Sequence, residues 1–175
     1  MSYIKNLTIN QNYKFLTIPK DIVGKLYLEY KTINDNSQPI DDQLVLQNII
    51  NGETARYLFY DCFSNWNART IYYNGTESQV TSKGDAHGDT QGMAIDFSTG
   101  IVTFYYNGNL FGSVKVPDPN NFRDVIITLY AGHTLAVEQR LYPYECLYTP
   151  SGYKTFMEFL PIPVVKHNNL LYWYK

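Results

Sequence analysis

Cysteine is nearly absent: Cys62 and Cys146 are the only two in 175 residues. Thiols so far apart in the chain build neither a zinc site nor a disulfide framework, so both are expected reduced and buried. Charge is sparse too. Asp, Glu, Lys and Arg make up 17% of the chain and the formal net charge is −2, which leaves no electrostatic footprint for nucleic acid. No apolar run approaches the ~18 residues of a membrane span. Residues 1–20 mix Lys and Asn with single apolar positions and contain no signal-peptide core. Sequons at Asn6 and Asn74 therefore lack a secretory context and are read as chance in an Asn-rich chain. Also missing are a nucleophile elbow, a P-loop, an HExxH pair and a Cys–His spacing. No internal repeat or low-complexity segment occurs.

What the chain does have is aromatic residues, 16% with 17 Tyr, enough to fill a β core and to leave amphipathic rings at a surface. Strand-like runs cover 12–19 and 24–32, divided by Pro19-Lys20-Asp21. In the second run Leu26 and Leu28 share one face while Tyr27 and Glu29 share the other. A polar loop follows at 34–42. Residues 44–50 fit neither period cleanly and are taken as a strand. Strands are expected at 57–63 and 70–73, the latter closed by Asn74-Gly75, and a polar loop at 81–89. Pro117-Asp118-Pro119-Asn120-Asn121 marks a turn before an apolar strand at 125–130.

The densest signal is DTQGMAIDFSTGIVTFYYNGNLFG at 89–112. Met93, Ile95 and Phe97 alternate with Ala94 and Asp96, and Val102, Phe104 and Tyr106 alternate with Ile101, Thr103 and Tyr105. Ser98-Thr99-Gly100 supplies a turn with a Gly for positive φ, and Asn107-Gly108 is the dipeptide that suits a type I′ hairpin. Three consecutive antiparallel strands are the expectation.

This order resembles the signature of SPRY domains: a strand opened by Gly92 and running through Asp96, a turn at Gly100, a core Phe104, then Asn107-Gly108 and a strand closing at Gly112. Lys25-Leu26-Tyr27-Leu28-Glu29-Tyr30 is similar to the family's early strand, with an aromatic before a Glu, and 124–130 resembles its late apolar strand, without the usual Pro. The resemblance spans roughly the middle two-thirds of the chain, while the loops between Pro39 and Tyr57 match nothing in it. It implies an all-β fold, an antiparallel two-sheet sandwich of the concanavalin-like jelly-roll type, working without a metal.

The length suits one sandwich domain over 1–175, with 134–175 adding edge strands or a C-terminal cap. Residues 134–142 alternate weakly, and 153–160 and 164–173 read as extra strands divided by Pro161-Ile162-Pro163. The apolar run Leu170-Leu171-Tyr172-Trp173-Tyr174 would gain ~1.5–3 kcal/mol per buried side chain. It is expected to pack on its own sandwich or, in the alternative, to join subunits of a homo-oligomer.

Concanavalin-like folds also host glycoside hydrolases, which need two carboxyl groups across the scissile bond. The central strand offers Asp96 alone, since Ala94 and Ser98 flank it at a spacing of two; Glu138, Glu145 and Glu158 lie on separate elements. Asp96 is read as structural, accepting N–H bonds from the turn that follows. Asp85, His87 and Asp89 alternate as ion ligands would, yet no second carboxylate cluster completes a shell, and the segment is read as a polar loop. No enzyme activity, metal or cofactor is expected.

Recognition is the favoured function. Trp66 stands in the polar setting Asn65-Trp66-Asn67-Ala68-Arg69, where its ring can stack on a sugar or fill a peptide pocket while Asn65, Asn67 and Arg69 give directional hydrogen bonds. Tyr72 and Tyr73 precede a hairpin tip and one of them faces outward. These six residues form the candidate site for a glycan or protein ligand, with no nucleic acid and no membrane insertion. The competing reading is a structural assembly subunit without ligand. Its support is that no flanking module accompanies the sandwich and that the Asn, Ile, Tyr and Lys content resembles an AT-rich bacterial or viral genome. The two meet in a phage or viral particle component that binds a host surface, so the expected location is cytoplasmic or virion-associated.

Overall fold

The computed structural model of the protein describes residues 6–33, 42–59, 68–73, 76–82, 88–129, 134–160, 166–167 and 170–171. Its strands are β1 (Asn6–Ile9), β2 (Tyr13–Thr17), β3 (Lys25–Thr32), β4 (Asp42–Asn48), β5 (Thr54–Phe59), β6 (Ala68–Tyr73), β7 (Thr76–Ser82), β8 (Thr90–Asp96), β9 (Ile101–Tyr106), β10 (Asn109–Lys115), β11 (Phe122–Leu129), β12 (Leu135–Arg140), β13 (Lys154–Thr155), β14 (Lys166–His167) and β15 (Leu170–Leu171). A 3-10 turn covers Pro119–Asn121 and a single α-helical turn, α1, covers Phe156–Phe159.

The strands form the expected antiparallel two-sheet sandwich. One sheet runs β1-β12-β3-β8-β9-β10 with β13 also on β3, the other β2-β11-β4-β5-β6-β7, and β14 pairs β15. Among the described strands only β13 runs parallel to its neighbour: it meets Leu26 and Tyr27, while β12 occupies Glu29 to Thr32 of the same strand. Alternation makes the core. Leu26, Leu28 and Tyr30 of β3, Met93 and Ile95 of β8, and Val102 and Phe104 of β9 are buried in one cluster with Leu44 and Leu46 of β4 and Val125 and Ile127 of β11.

The hairpin chemistry is as the sequence implies. Asn107 and Gly108 both have positive φ, 47° and 76°, between β9 and β10, and Gly100 has φ 73° between β8 and β9. Asp96 accepts the Ser98 N–H at 2.9 Å and the Ser98 hydroxyl at 2.6 Å, the turn-bracing role expected of it.

Four readings change, the first being that 164–173 is not one strand, since β14 and β15 within it pair with each other. Residues 81–89 are not all loop, because Thr81 and Ser82 end β7, an edge strand whose polar sequence shows no apolar alternation. Residues 153–160 are not one strand; after β13 the chain turns into α1, held by a capping box in which Glu158 accepts the Thr155 N–H at 2.6 Å. The 44–50 strand stops at Asn48, whose side chain accepts the Ile50 N–H at 2.8 Å and so forms a turn. Of the C-terminal run, Tyr172, Trp173 and Tyr174 lie outside the described residues, as does Cys62. No helix among the described residues is long and apolar enough to cross a membrane.

The second face of β3 is buried as well. Tyr27 and Ala94 lie under Cys146 in a separate small cluster that Tyr105 and Tyr153 help to cover. Glu29, on that face, receives Arg140 Nη1 at 2.7 Å, the Leu147 and Tyr148 N–H groups at 3.2 Å each, and the Tyr27 hydroxyl at 3.1 Å. One carboxylate thus ties residues 141–155 across the sheet as a strap. Gly92, paired with Glu29, is the position where a Cβ would run into the Tyr27 phenol. Burial, with Glu29 and Glu145 nearby, pushes the Cys146 thiol up to about 12, so it stays protonated and unreactive at neutral pH.

Candidate functional site

Strand direction sorts the connections into two ends. Turns at 18–24, 49–53, 97–100 and 116–121 share one, here the turn end. At the other, the loop end, Asp42 pairs with Leu129 and Phe59, Ala68 with Ser82, and Ile9 with Leu135. The chain passes between the two sheets there, from β1 to β2, and Asn12 on that connection accepts the Leu129 N–H through Oδ1 at 3.2 Å. Strand ends flanking residues 34–41, 60–67, 83–87 and 130–133 therefore converge on one end of the sandwich.

Against that geometry the six candidate residues divide. Asn65, Trp66 and Asn67 lie outside the described residues, but Phe59 and Ala68, on either side of them, are both at the loop end. Arg69 is the second residue of β6, opposite Phe59 and Thr81, and so at the loop end too. Tyr72 and Tyr73 come three and four residues later, roughly 10–13 Å along the strand toward the turn end. Tyr72 stands opposite Arg56 and Glu77. Tyr73 packs against the core and donates its hydroxyl to Glu53 Oε2 at 3.3 Å. Desolvation, the Glu53 charge and that bond raise its pKa.

Asp85 and His87 lie outside the described residues. Asp89 is engaged by protein: it accepts Asn107 Nδ2 at 2.7 Å and the Tyr106 hydroxyl, bracing the β9–β10 turn against the start of β8. Asn107 completes the brace, accepting the Thr90 N–H at 2.8 Å through Oδ1. No group of three or more metal-ligating side chains occurs among the described residues.

Glu138, Glu145 and Glu158, the acids on separate elements, are engaged by backbone, Thr155 or Arg140. Glu145 accepts the Leu141 and Tyr142 N–H groups, Glu158 caps α1, and Glu138 pairs with Arg140 Nε at 3.1 Å. Burial works against ionisation of Asp96, but the Ser98 bonds, Thr99 and Lys25 outweigh it and hold its carboxyl below the ordinary value.

Sequence reasoning missed the interior of the loop end. Gln139, Tyr30, Gln91 and Tyr106 stand directly opposite one another across β12, β3, β8 and β9, a polar row beside the apolar Leu26, Leu28, Met93, Ile95, Val102 and Phe104 of the same face. Gln91 has the same strand parity as core Met93 and Ile95. A polar residue at core parity was the available signal.

No protein-family model matches the chain, and no curated protein matches it. Solved structures do. A human SPRY domain superposes with a TM-score of 0.50 at 19% identity, covering 80% of this chain and 93% of its own. The TRIM65 PSpry domain gives 0.47 at 12% identity over 78% of this chain and 70% of its own. The SPRY domain of human HERC1 gives 0.45 at 11% identity over 77% and 82%. At these identities the likeness speaks to fold, and the first of the three carries it: the protein has a SPRY-like, concanavalin-like β-sandwich fold.

Proposed function

We propose that the protein, as one sandwich unit over 1–175, is a non-enzymatic recognition module that binds a glycan or protein ligand at the loop end. The observation that carries this reading is the convergence of strand ends around residues 60–67, the segment holding Asn65, Trp66 and Asn67, with Arg69 beside it. Loops set on a rigid sandwich are where binding groups are held without disturbing a core. Tyr72 and Tyr73 would take a secondary part farther along β6. The non-enzymatic reading is supported by the acids: the described carboxylates discussed above accept protein hydrogen bonds, whereas glycoside hydrolysis needs two carboxyl groups facing one bond.

A second reading, a structural subunit of a phage or viral particle, draws on exposed apolar side chains. Tyr144 and Leu147 on the strap are 78% and 63% exposed, and Leu110 beside the β9–β10 turn is 68% exposed. In that reading the C-terminal run would join copies into a homo-oligomer. Concentration-dependent association in sedimentation would favour it.

The test of the first reading is a glycan array and a host-surface protein pull-down, run with the native protein and Trp66→Ala. Saturable binding lost in the variant, with its melting temperature unchanged, supports a site at Trp66. Binding that survives Trp66→Ala intact would remove the site, and a large fall in stability would place Trp66 in the core instead.

A further inference from the structure

Gln91 is wholly buried, at 0% exposure, and neither Nε2 nor Oε1 of its side chain has a hydrogen-bond partner among the described residues. Thr32 is 1% exposed and its Oγ1 is in the same position. The two are neighbours. Gln91 stands opposite Tyr30 in the β3–β8 register, and the Thr32 N–H donates to the Asp89 carbonyl at 2.9 Å, so Thr32 is the diagonal neighbour of Gln91 across the same strand pair. Both point inward by parity, Thr32 with Leu28 and Tyr30, and Gln91 with Met93 and Ile95. Diagonal positions lie about 7–8 Å apart at Cα and somewhat less at Cβ, a gap that a long side chain and a single small molecule can span.

A buried amide left unbonded is costly, and folded proteins avoid it. Where two or more such groups face each other in an interior, the usual resolution is a structural water with two to four polar partners. We propose that the loop end of the sandwich contains a built site for one water molecule, bridging the Gln91 amide and the Thr32 hydroxyl beneath the polar row. The amide offers both a donor and an acceptor, and the hydroxyl can rotate to either role, so these two side chains suit a neutral hydrogen-bonding molecule, while the nearby Asp89 carboxylate is already taken by Tyr106 and Asn107.

The site is tested on the whole protein by a high-resolution crystal structure and by water-to-amide cross-relaxation in NMR, beside Gln91→Met, Thr32→Val and the double variant. Expected is a water within hydrogen-bond distance of both side chains, cross-peaks from it to the Gln91 side-chain amide protons, and a fall in melting temperature for each single variant. The double variant should fall no further than the worse single one, because both lose the same water. A dry interior with melting temperatures that rise additively would overturn the proposal. So would a side chain from another segment bonded to Gln91, or a water bound to Gln91 alone. Should Gln91→Met fail to fold, the native crystal structure and Thr32→Val still decide.

Discussion

The two ends of the sandwich handle buried polarity in opposite ways. At the turn end Arg123 is 1% exposed, yet its guanidinium is surrounded by acceptors: the Asn120 carbonyl at 2.8 Å from Nε, the Pro19 and Ile22 carbonyls at 3.0 and 2.7 Å from Nη1, and Asn120 Oδ1 at 3.1 Å from Nη2. The cation also lies 4.3 Å from the Phe97 ring centroid. Burial lowers its pKa, opposed by Asp21, but an Arg stays charged, and here backbone dipoles rather than a carboxylate solvate it. At the loop end the buried polar row is neutral and Gln91 finds no described partner. One end closes on itself through its own main chain. The other holds a neutral polar row near the strand ends that the proposed recognition site would use, and under that proposal the division suits a module whose ligand is not coupled to the turn-end brace.

The largest expected effect breaks the turn end. Arg123→Leu would take the donor from the buried Ile22 carbonyl and from the Asn120 carbonyl and amide oxygen, leaving the Pro19 carbonyl only the Ile22 N–H, at ~1–3 kcal/mol for each acceptor that water cannot reach. A loss of at least about 3 kcal/mol in urea denaturation is expected, with Arg123→Lys a poor rescue because a point ammonium cannot serve the same spread of acceptors. Ligand affinity of whatever fraction remains folded should be unchanged. A neutral outcome for stability would mean that the two ends do not differ as described.

A matched pair of glycines sharpens the comparison. Gly100 and Gly108 both have positive φ, and an added Cβ would collide at each, but with different things. At Gly100, in the turn end, the obstacle is the Val116 carbonyl oxygen at 2.5 Å, main chain that also accepts no displacement because the Val116 N–H is bonded to the Gly100 carbonyl. At Gly108, in the loop end, it is the ring of Tyr148, a partly exposed side chain that can swing away. Gly100→Ala should cost about 2–3 kcal/mol and Gly108→Ala about 1–2 kcal/mol, the latter mostly left-handed backbone strain. Chemical denaturation of both variants checks the order, and an equal or reversed cost would refute the distinction. Gly108→Val, β-branched at positive φ, should exceed Gly108→Ala.

How much of this was legible follows the locality of each feature. The turns at Gly100 and Asn107-Gly108 and the Asp96 brace are set by residues within a few positions, so sequence reading reached them. Strand β7 was missed, its last two residues read as loop, because TESQVTS carries no apolar stripe, being paired at the sheet edge by main-chain bonds. The turn of α1 was available in the Thr155-to-Glu158 capping-box spacing and was overridden by an apparent strand pattern. Glu29 was beyond reach. Its alternation with Leu28 suggests a second face without saying that the strap, more than a hundred residues later, would bury it. The candidate site shows the same divide: Trp66 and its polar neighbours are visible as composition, while the convergence of strand ends and the Gln91 row require the topology.

The smallest expected effect concerns acid. Asp96 and Asp124 are both on the turn-end half, and both have carboxyls held below the ordinary value. Burial opposes ionisation in each but is outweighed, by Ser98, Thr99 and Lys25 at Asp96 and by Lys14 and Thr17 at Asp124. A carboxyl depressed in the folded state contributes stability that is complete above its unfolded value of about 3.9 and is lost as pH falls through the lower folded value. Acidification from neutral should therefore leave these contributions intact until about pH 4 and then erode them, loosening the turn end before the loop end. Asp96→Asn keeps an oxygen for the Ser98 N–H but gives up the charge facing Lys25, 3.7 Å away, so its cost at neutral pH should be only about 0.5–1 kcal/mol. Its melting temperature should also fall less than that of the native protein between pH 5 and pH 2.5, roughly the span over which such a group titrates. Amide exchange at Ser98 and Gly100, followed through the same range, locates the loss; faster exchange at Thr90 and Asn107 first would place the acid-sensitive half at the wrong end.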